Sequence, residues 1–186
     1  WAEMRALGHR IFDEAIDHLA GLRDRPVWQE MPAGVRNSFG GPLPRRGIGA
    51  EAAYEVMLRN VRPYPMGNIH PRFWAWYMGA GNIVGALGDF LAAVDGSNRG
   101  GGNTAPVLVE RRATRRMAEI AGFPATAGGT LTSGGSIANL IGLTVARSAK
   151  AGHDVRADGV GAARLRFYAS DQAHSCHKKA MEILGL

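Results

Sequence analysis

The sequence predicts an α/β fold with parallel strands, preceded by a helical region. Before residue 125, apolar residues recur at helical spacing in four segments, at residues 1–22, 50–61, 83–94 and 106–121. After residue 125 the order is a strand candidate, a glycine turn, a helix, a second strand candidate and a second helix. These two observations together indicate the start of a parallel sheet with helical crossovers.

The helical region begins with an amphipathic pattern. Its apolar positions recur every three or four residues and are Met4, Leu7, Ile11, Ala15, Leu19 and Leu22. Residues 23–49 hold four prolines and five glycines, too many for regular structure, so we expect an ordered connection there. Pro63 and Pro65 end the second helix, and Pro106 suits the first turn of the fourth.

The α/β part contains two strand candidates, at residues 130–132 and 165–169, each followed by a turn. The first turn is S-G-G-S at residues 133–136, before a helix at residues 137–150. The second turn, at residues 170–174, precedes the final helix. Polar loops are expected before and between these elements, at residues 96–103 and 151–163.

Composition excludes several classes of protein. Glycine makes up 26 of 186 residues but has no period, so a collagen is excluded, and 46% hydrophobic residues argue against disorder. No run of about 18 apolar residues is present, so we expect no membrane partner. The opening does not resemble a signal peptide, and the single cysteine, Cys176, excludes an internal disulfide. We therefore expect a cytoplasmic protein in a reducing compartment.

The chain carries a formal net charge of +6. Excess positive charge can indicate a nucleic-acid partner. The densest basic group, however, has the spacing of one exposed helical face: Arg111, Arg112, Arg115 and Arg116. The other arginines are spread along the chain, so we expect no nucleic-acid partner. Only three basic residues are lysines, namely Lys150, Lys178 and Lys179.

The S-G-G-S turn is suited to holding an anion. Glycines let the backbone approach a ligand, and the first N–H groups of a helix are unpaired at the positive end of its dipole. Ser133 and Ser136 add hydroxyl donors. The alternative is that a serine caps the helix. The spacing matches neither a phosphate-binding loop ending in Gly-Lys-Ser/Thr nor the dinucleotide fingerprint.

The same turn also comes near the nucleophile elbow of serine hydrolases, G-x-S-x-G, with Ala138 in place of the last glycine. Ser136 would be the nucleophile and His174 its base. The acids that chain order offers are Asp154, Asp158 and Asp171. A serine hydrolase is therefore the competing enzyme class.

His174 follows the second strand candidate, where open α/β sheets place ligands. A lone histidine there is more often a surface or capping residue than a catalytic one, and Asp171 could cap the final helix. His177, one helical turn further on, invites a metal interpretation. No cluster of cysteines or carboxylates supports it, so we expect no metal.

Three motifs occur in a recognisable order, and the resemblance that they carry covers nearly the whole chain. They are H-P-R-F at residues 70–73, T-S-G-G-S-I-A-N-L at 132–140 and Y-A-S-D-Q-A-H-S at 168–175. This series resembles the pyridoxal-phosphate-dependent group II amino-acid decarboxylases, close to the aromatic-L-amino-acid decarboxylases. The resemblance implies a fold-type I homodimer that uses pyridoxal 5'-phosphate to remove carbon dioxide from an amino acid. It also divides the chain into a helical segment that wraps the partner, residues 1–105, and the first part of the cofactor-binding large domain, residues 106–186.

The resemblance further implies a role for each site residue. The residues expected at the cofactor phosphate are Gly134, Gly135 and Ser136, with Gly79 near them. His174 would stack on the pyridine ring and orient the substrate as the catalytic residue. The residues expected to wall the substrate pocket are Phe73, Trp74 and Trp76, which favours an aromatic amino acid. The alternative for these rings is an aromatic core cluster.

The chain also departs from the family pattern. The family's aspartate that pairs with the ring nitrogen and its Schiff-base lysine lie beyond the third motif, and no lysine here occupies that position. Ile137 stands where an acidic residue is common, and Arg111 and Arg112 follow Glu110 where a second acidic residue is usual. We therefore expect the N-terminal part of a decarboxylase, completed by a C-terminal region or a second chain. The alternative is a non-catalytic subunit that binds the cofactor or serves as a dimer partner.

Overall fold

The computed structural model describes residues 1–97, 100, 103–161 and 164–186. The chain divides into two compact units, Trp1–Gly96 and Ser97–Leu186. The polar loops expected at residues 96–103 and 151–163 lie partly outside the described residues. The functional division at residue 105 stays a prediction.

The first unit is helical, as expected. Its helices are α1 (Ala2–Ala20), α2 (Ala33–Ser38), α3 (Ala50–Asn60) and α4 (Ile83–Asp95), with a 3₁₀ turn at Leu22–Asp24. The three helices with apolar periodicity are confirmed to within two residues. The short helix α2 lies inside the connection for which no regular structure was expected. At α4, the Asn82 side chain accepts a hydrogen bond from the N–H of Gly85 at 2.9 Å and so fixes where the helix begins.

Helices α1 and α3 are held together by a charged cluster around Tyr54. Tyr54 is buried, and its hydroxyl donates a hydrogen bond of 2.8 Å to Oε2 of Glu14. Arg10 pairs with Glu14 at 2.8 Å and also with Glu51 and Glu55 of α3. Its guanidinium carbon lies 5.3 Å from the centre of the Tyr54 ring. The cluster therefore fixes the register of α1 on α3.

Glu14 gives this junction a pH dependence. Hydrogen bonds from Arg10 and then Tyr54 hold the pKa of the Glu14 carboxyl below its ordinary value of 4.5. A carboxyl whose folded-state pKa is lowered contributes stability that is present above pH 4.5 and is lost as the pH falls through the folded value. We expect Glu14→Gln to flatten the dependence of the free energy of unfolding on pH in the acid range below 4.5.

Urea unfolding of the full-length protein at a series of acid pH values would measure this effect. The control is Glu3→Gln, about three turns earlier on α1, which should keep the wild-type profile. An unchanged profile in Glu14→Gln would contradict the role given to the cluster.

Gly67 is a position in the first unit where both the backbone conformation and the available space require glycine. It is buried with φ at +91°, a left-handed conformation that side chains with a Cβ rarely adopt. A Cβ there would also lie 2.1 Å from the carbonyl oxygen of Val27. The turn at residue 67 is therefore pressed directly against the chain that follows α1.

We expect Gly67→Ala to lower the free energy of unfolding by about 2–3 kcal/mol, because backbone strain and a backbone clash act together. Chemical denaturation measures the change. Gly8→Ala, inside α1 with no atom within 4 Å of the new Cβ, should instead stabilise the protein by about 1 kcal/mol. A Gly67→Ala protein as stable as the wild type would contradict this contact.

The second unit contains α5 (Ala105–Ile120), α6 (Gly135–Lys150), α7 (Val155–Asp158) and α8 (Ser175–Leu184). The predicted helices α5, α6 and α8 are confirmed, and Arg111, Arg112, Arg115 and Arg116 are exposed on α5 as expected. The short helix α7 lies in a predicted loop, where Asp154 accepts a hydrogen bond from the N–H of Arg156 at 2.9 Å.

Helices α6 and α8 pack as a parallel pair. Near their beginnings, Nδ2 of Asn139 lies 3.7 Å from Sγ of the buried Cys176. Near their ends, Arg147 donates a 2.9 Å hydrogen bond to the carbonyl of Leu184. Both contacts join residues 37 positions apart, so the helices run in the same direction and in register.

Neither predicted strand is seen as a strand: the part of the chain that the structure describes contains helices and turns only. A strand exists where its backbone groups pair with a neighbouring strand. Here the N–H of Leu131 donates instead to Oε1 of Glu110 on α5 at 2.8 Å, and the Thr130 hydroxyl donates to the same oxygen at 2.9 Å. The sheet layer at residues 130–132 and 165–169 is therefore unconfirmed, while the helices that follow both segments are present.

Among the helices described, none is long and apolar enough to cross a lipid bilayer.

Candidate functional site

The N-terminus of α6 presents unpaired backbone donors. The helix begins at Gly135. Its first backbone hydrogen bond runs from the N–H of Ala138 to the carbonyl of Gly134 at 3.1 Å. Helix geometry leaves the N–H groups of Gly135, Ser136 and Ile137 without an acceptor inside the helix. No side chain caps this end, so the expected alternative, a serine cap, is not what the structure shows. The terminus retains the donors and the positive dipole that an anion needs.

The two glycines of this turn are not explained by the chain's own packing. A Cβ on Gly134 or Gly135 would meet no atom within 4 Å. Gly134 has φ at 163°, extended backbone that any residue adopts. The Thr132 hydroxyl donates to the Gly134 carbonyl at 3.1 Å and steadies the turn. Open space beside two glycines leaves the backbone accessible to a close ligand.

His174 caps the second helix of the pair. Its Nδ1 accepts a hydrogen bond of 3.1 Å from the N–H of Cys176, so the neutral ring carries its proton on Nε2. The expectation that Asp171 caps α8 is wrong. His174, which immediately precedes the helix, supplies the side-chain acceptor instead. The exposed His174 ring also lines an open recess of about 320 Å³. A single hydrogen bond thus fixes the ring while Nε2 and its faces stay available.

The parallel packing of α6 and α8 brings the second and third sequence motifs together. Asn139, which contacts Cys176 of α8, also donates to the Gly135 carbonyl in the first turn of α6 at 2.9 Å. The backbone N–H of Cys176 in turn donates a hydrogen bond to Nδ1 of His174. The S-G-G-S turn and His174 therefore lie at the same end of one helix pair, where two positive helix ends meet.

The geometry does not support the competing hydrolase. Across the described residues no hydrogen bond joins Ser136 to His174, and every residue with positive φ is a glycine, so Ser136 lacks the strained turn of a nucleophile elbow. The candidate acids bond elsewhere: Asp154 to the N–H of Arg156, and Asp171 to Gln172 at 3.4 Å. A relay of serine, histidine and acid is absent from this part of the chain.

The H-P-R-F motif lies in the first unit and begins with a structural histidine. His70 is 4% exposed, its Nε2 donates to the Arg25 carbonyl at 3.1 Å, and its Nδ1 accepts from the N–H of Arg72 at 3.0 Å. Both ring nitrogens are therefore satisfied. This histidine fixes the start of the aromatic segment.

The aromatic segment itself faces solvent within this unit. Trp74 is 89% and Trp76 is 66% exposed, so the alternative of an aromatic core does not hold for these two rings. Phe73 is partly buried, and its ring centre lies 5.9 Å from that of Trp76. The Gly79 carbonyl accepts a hydrogen bond from Asn68 at 3.1 Å. That this segment lies beside the S-G-G-S turn stays a prediction, because the segment and the turn belong to different units.

Sequence reasoning missed the contact that joins the two motifs, between Asn139 and Cys176. No local pattern marks this contact, because it depends on how two helices pack. Residues 1–97, 100, 103–161 and 164–186 contain no group of three or more His, Cys, Asp or Glu side chains placed to hold a metal ion.

Comparison with known proteins adds independent findings. A family model described as the pyridoxal-dependent decarboxylase conserved domain matches residues 54–186. An aromatic-L-amino-acid decarboxylase of Bacillus atrophaeus is 33% identical over 193 residues, covering 98% of this chain and 37% of the relative. A tyrosine decarboxylase of Oryza sativa subsp. japonica is 31% identical over 208 residues, covering 99% and 36%. The chain thus spans little more than a third of these relatives' length.

Solved structures share the fold. The crystal structure of Rhodiola rosea 4-hydroxyphenylacetaldehyde synthase matches with a TM-score of 0.80 at 20% identity, covering 100% of this chain and 41% of that one. The crystal structure of Oryza sativa TDC with PLP and tryptamine matches with a TM-score of 0.79 at 22% identity, covering 99% and 40%. The chain therefore has the fold of about two fifths of those proteins.

Proposed function

The chain belongs to the pyridoxal-dependent decarboxylase family, and from this premise we propose that it forms the N-terminal part of an enzyme that decarboxylates an aromatic amino acid. The enzyme would be a carboxy-lyase that uses pyridoxal 5'-phosphate. The observation that carries the proposal is the shared end of α6 and α8, where unpaired backbone donors and the fixed ring of His174 lie together.

In this proposal the α6 N-terminus holds the cofactor phosphate. Gly134 and Gly135 let the phosphate approach the backbone, and the N–H groups of Gly135 and Ser136 donate to its oxygens. The Ser136 hydroxyl adds a charge-assisted hydrogen bond. These donors fit a phosphate because no side chain caps the helix end and no atom of the chain fills the space beside the two glycines. Gly79 is proposed to lie near the same phosphate.

His174 would hold the cofactor ring by stacking and orient the substrate beside it. Its hydrogen bond from Cys176 fixes the ring, so little freedom is lost when a second ring packs on it. When bound, pyridoxal 5'-phosphate supplies the electron sink that loss of carbon dioxide requires. The protein's contribution is to fix the groups around the bond that breaks.

Aromatic substrates are favoured by two kinds of evidence. The named relatives include an aromatic-L-amino-acid decarboxylase and a tyrosine decarboxylase. In this chain Phe73, Trp74 and Trp76 form an aromatic segment with two exposed rings, suited to wall a pocket for an aromatic side chain.

The rest of the active site would come from chain outside these residues. Lys150 ends α6, about 22 Å from the helix N-terminus at 1.5 Å per residue, too far to reach a cofactor held there. Lys178 and Lys179 lie on α8 and do not match the family's lysine position. We propose that the Schiff-base lysine and the aspartate for the ring nitrogen belong to a C-terminal region or a second chain.

The C-terminal region or second chain would also complete the fold. Residues 130–132 and 165–169 would become strands of a fold-type I α/β domain once neighbouring strands pair with them.

The apolar side chains of Phe90, Leu91 and Val94 on α4 are each 60% exposed or more, which fits a surface covered by another chain in a homodimer. A cytoplasmic enzyme fits the single buried cysteine.

Release of carbon dioxide by the full-length protein loaded with pyridoxal 5'-phosphate tests the proposal. We expect kcat/KM for tyrosine or tryptophan to exceed that for glutamate by at least about 100-fold, because a glutamate side chain would bury an unpaired carboxylate against the aromatic wall. A preference for glutamate would overturn the substrate class. Binding of the cofactor without any release of carbon dioxide would favour the non-catalytic subunit, and an aldehyde product would favour an aldehyde-forming relative.

A further inference from the structure

A recess in the first unit lies outside the residues assigned above. It has a volume of about 190 Å³ and lies between the end of α1, residues 25–29, the end of α3 and the turn at residues 63–70. This is roughly the space of six water molecules at about 30 Å³ each. The volume suits one small ion with a few waters.

The recess is lined by positive charge. Arg25 and Arg62 line it together with His18 from the last turn of α1. Arg25 is exposed and its guanidinium has no hydrogen-bond partner among the described residues. Arg62 donates to the Glu14 carbonyl and lies 3.6 Å from the Glu14 carboxylate, which offsets part of its charge.

His18 carries a polar atom that the protein leaves unsatisfied. Its Nδ1 is shielded from solvent, and within the described chain no hydrogen-bond partner reaches it. Burial lowers the pKa of His18, and the charges of Arg62 and Arg25 lower it further. The other histidine in the recess, His70, has both ring nitrogens in hydrogen bonds. A shielded polar atom without a hydrogen-bond partner is uncommon in folded proteins.

We infer that this recess binds a small divalent oxyanion, of the class of sulfate and phosphate, between Arg25 and Arg62 and beside His18. Such an anion would accept hydrogen bonds from both guanidinium groups, close to the imidazole of His18. Its negative charge would reverse the effect of the two arginines on His18 and favour the protonated ring. Binding is therefore coupled to proton uptake, and the anion links the end of α1 to the end of α3.

Calorimetric titration with sodium sulfate tests the inference, against sodium chloride at matched ionic strength. The protein is the full-length chain loaded with pyridoxal 5'-phosphate, so that the proposed cofactor phosphate position is filled. Sulfate keeps its charge across the range, so a change in affinity between about pH 6 and about pH 8 reports on proton uptake by the protein, as expected of a histidine. We expect tighter binding at the lower pH, with proton uptake.

Arg25→Gln should weaken sulfate binding about tenfold, through loss of a charge-assisted hydrogen bond. The matched control, Arg23→Gln, changes an exposed arginine two residues away that does not line the recess, and should bind like the wild type. His18→Gln should bind sulfate with no difference between the two pH values.

Equal affinity in the wild type and Arg25→Gln would overturn the inference. So would an absence of saturable binding, or a pH dependence that survives in His18→Gln. These results do not depend on decarboxylation, because none of the three residues belongs to the proposed active site.

Discussion

Replacing His174 by asparagine should lower kcat for decarboxylation of an aromatic amino acid by about 10²–10³-fold, while the free energy of unfolding changes little. The asparagine side-chain oxygen can accept the hydrogen bond from Cys176 that Nδ1 of His174 accepts at 3.1 Å. Asparagine therefore keeps the helix cap and removes only the ring. The change isolates the stacking and orienting role from the structural one.

His174→Ala is the matched comparison, because it removes both functions. We expect the same loss of kcat and a further loss of about 1 kcal/mol in stability from the missing cap. Steady-state kinetics and urea unfolding on the full-length protein measure the two effects separately. If His174→Asn kept kcat within about threefold of the wild type, the ring would have no catalytic role and His174 would be a capping residue alone.

Ser136→Glu should weaken binding of pyridoxal 5'-phosphate by about 100-fold or more. The change places a carboxylate at the α6 N-terminus, where it would occupy the positive helix end and repel the cofactor phosphate. Ser136→Ala removes only the hydroxyl, so a smaller loss of about tenfold is expected. Titration of the apoprotein with the cofactor gives both dissociation constants.

A charge control for this experiment lies on the same helix. Ser148→Glu adds the same charge three turns further along α6, where the Ser148 hydroxyl bonds the Thr144 carbonyl. Cofactor affinity should stay within about twofold of the wild type there, because the dipole effect falls off within a turn. Equal cofactor binding by Ser136→Glu and the wild type would place the phosphate elsewhere.

The helices could be predicted because their signals are local. Apolar spacing in residues 1–22 marked α1, and a glycine turn before an apolar stretch marked α6. The strands could not be settled in the same way. Pairing is non-local, and in the described chain the N–H of Leu131 finds the carboxylate of Glu110 rather than a neighbouring strand.

The candidate site was predicted in its parts but not in its arrangement. Sequence motifs singled out Ser136 and His174, yet only the packing of α6 on α8 through Asn139 and Cys176 brings them to one end. The choice between Asp171 and His174 as helix cap was likewise open, because both lie just before α8 and both can accept a hydrogen bond. The recess at His18 joins residues 18–29 to residues 58–70, which no spacing in the sequence reveals.

The central claim is that the α6 N-terminus holds the cofactor phosphate beside His174. A crystal structure of the full-length protein with pyridoxal 5'-phosphate bound tests it most directly. The claim predicts phosphate oxygens within about 2.7–3.2 Å of the N–H groups of Gly135 and Ser136, with the His174 ring stacked on the pyridine ring. A phosphate bound away from this helix end, or a pyridine ring out of contact with His174, would contradict it.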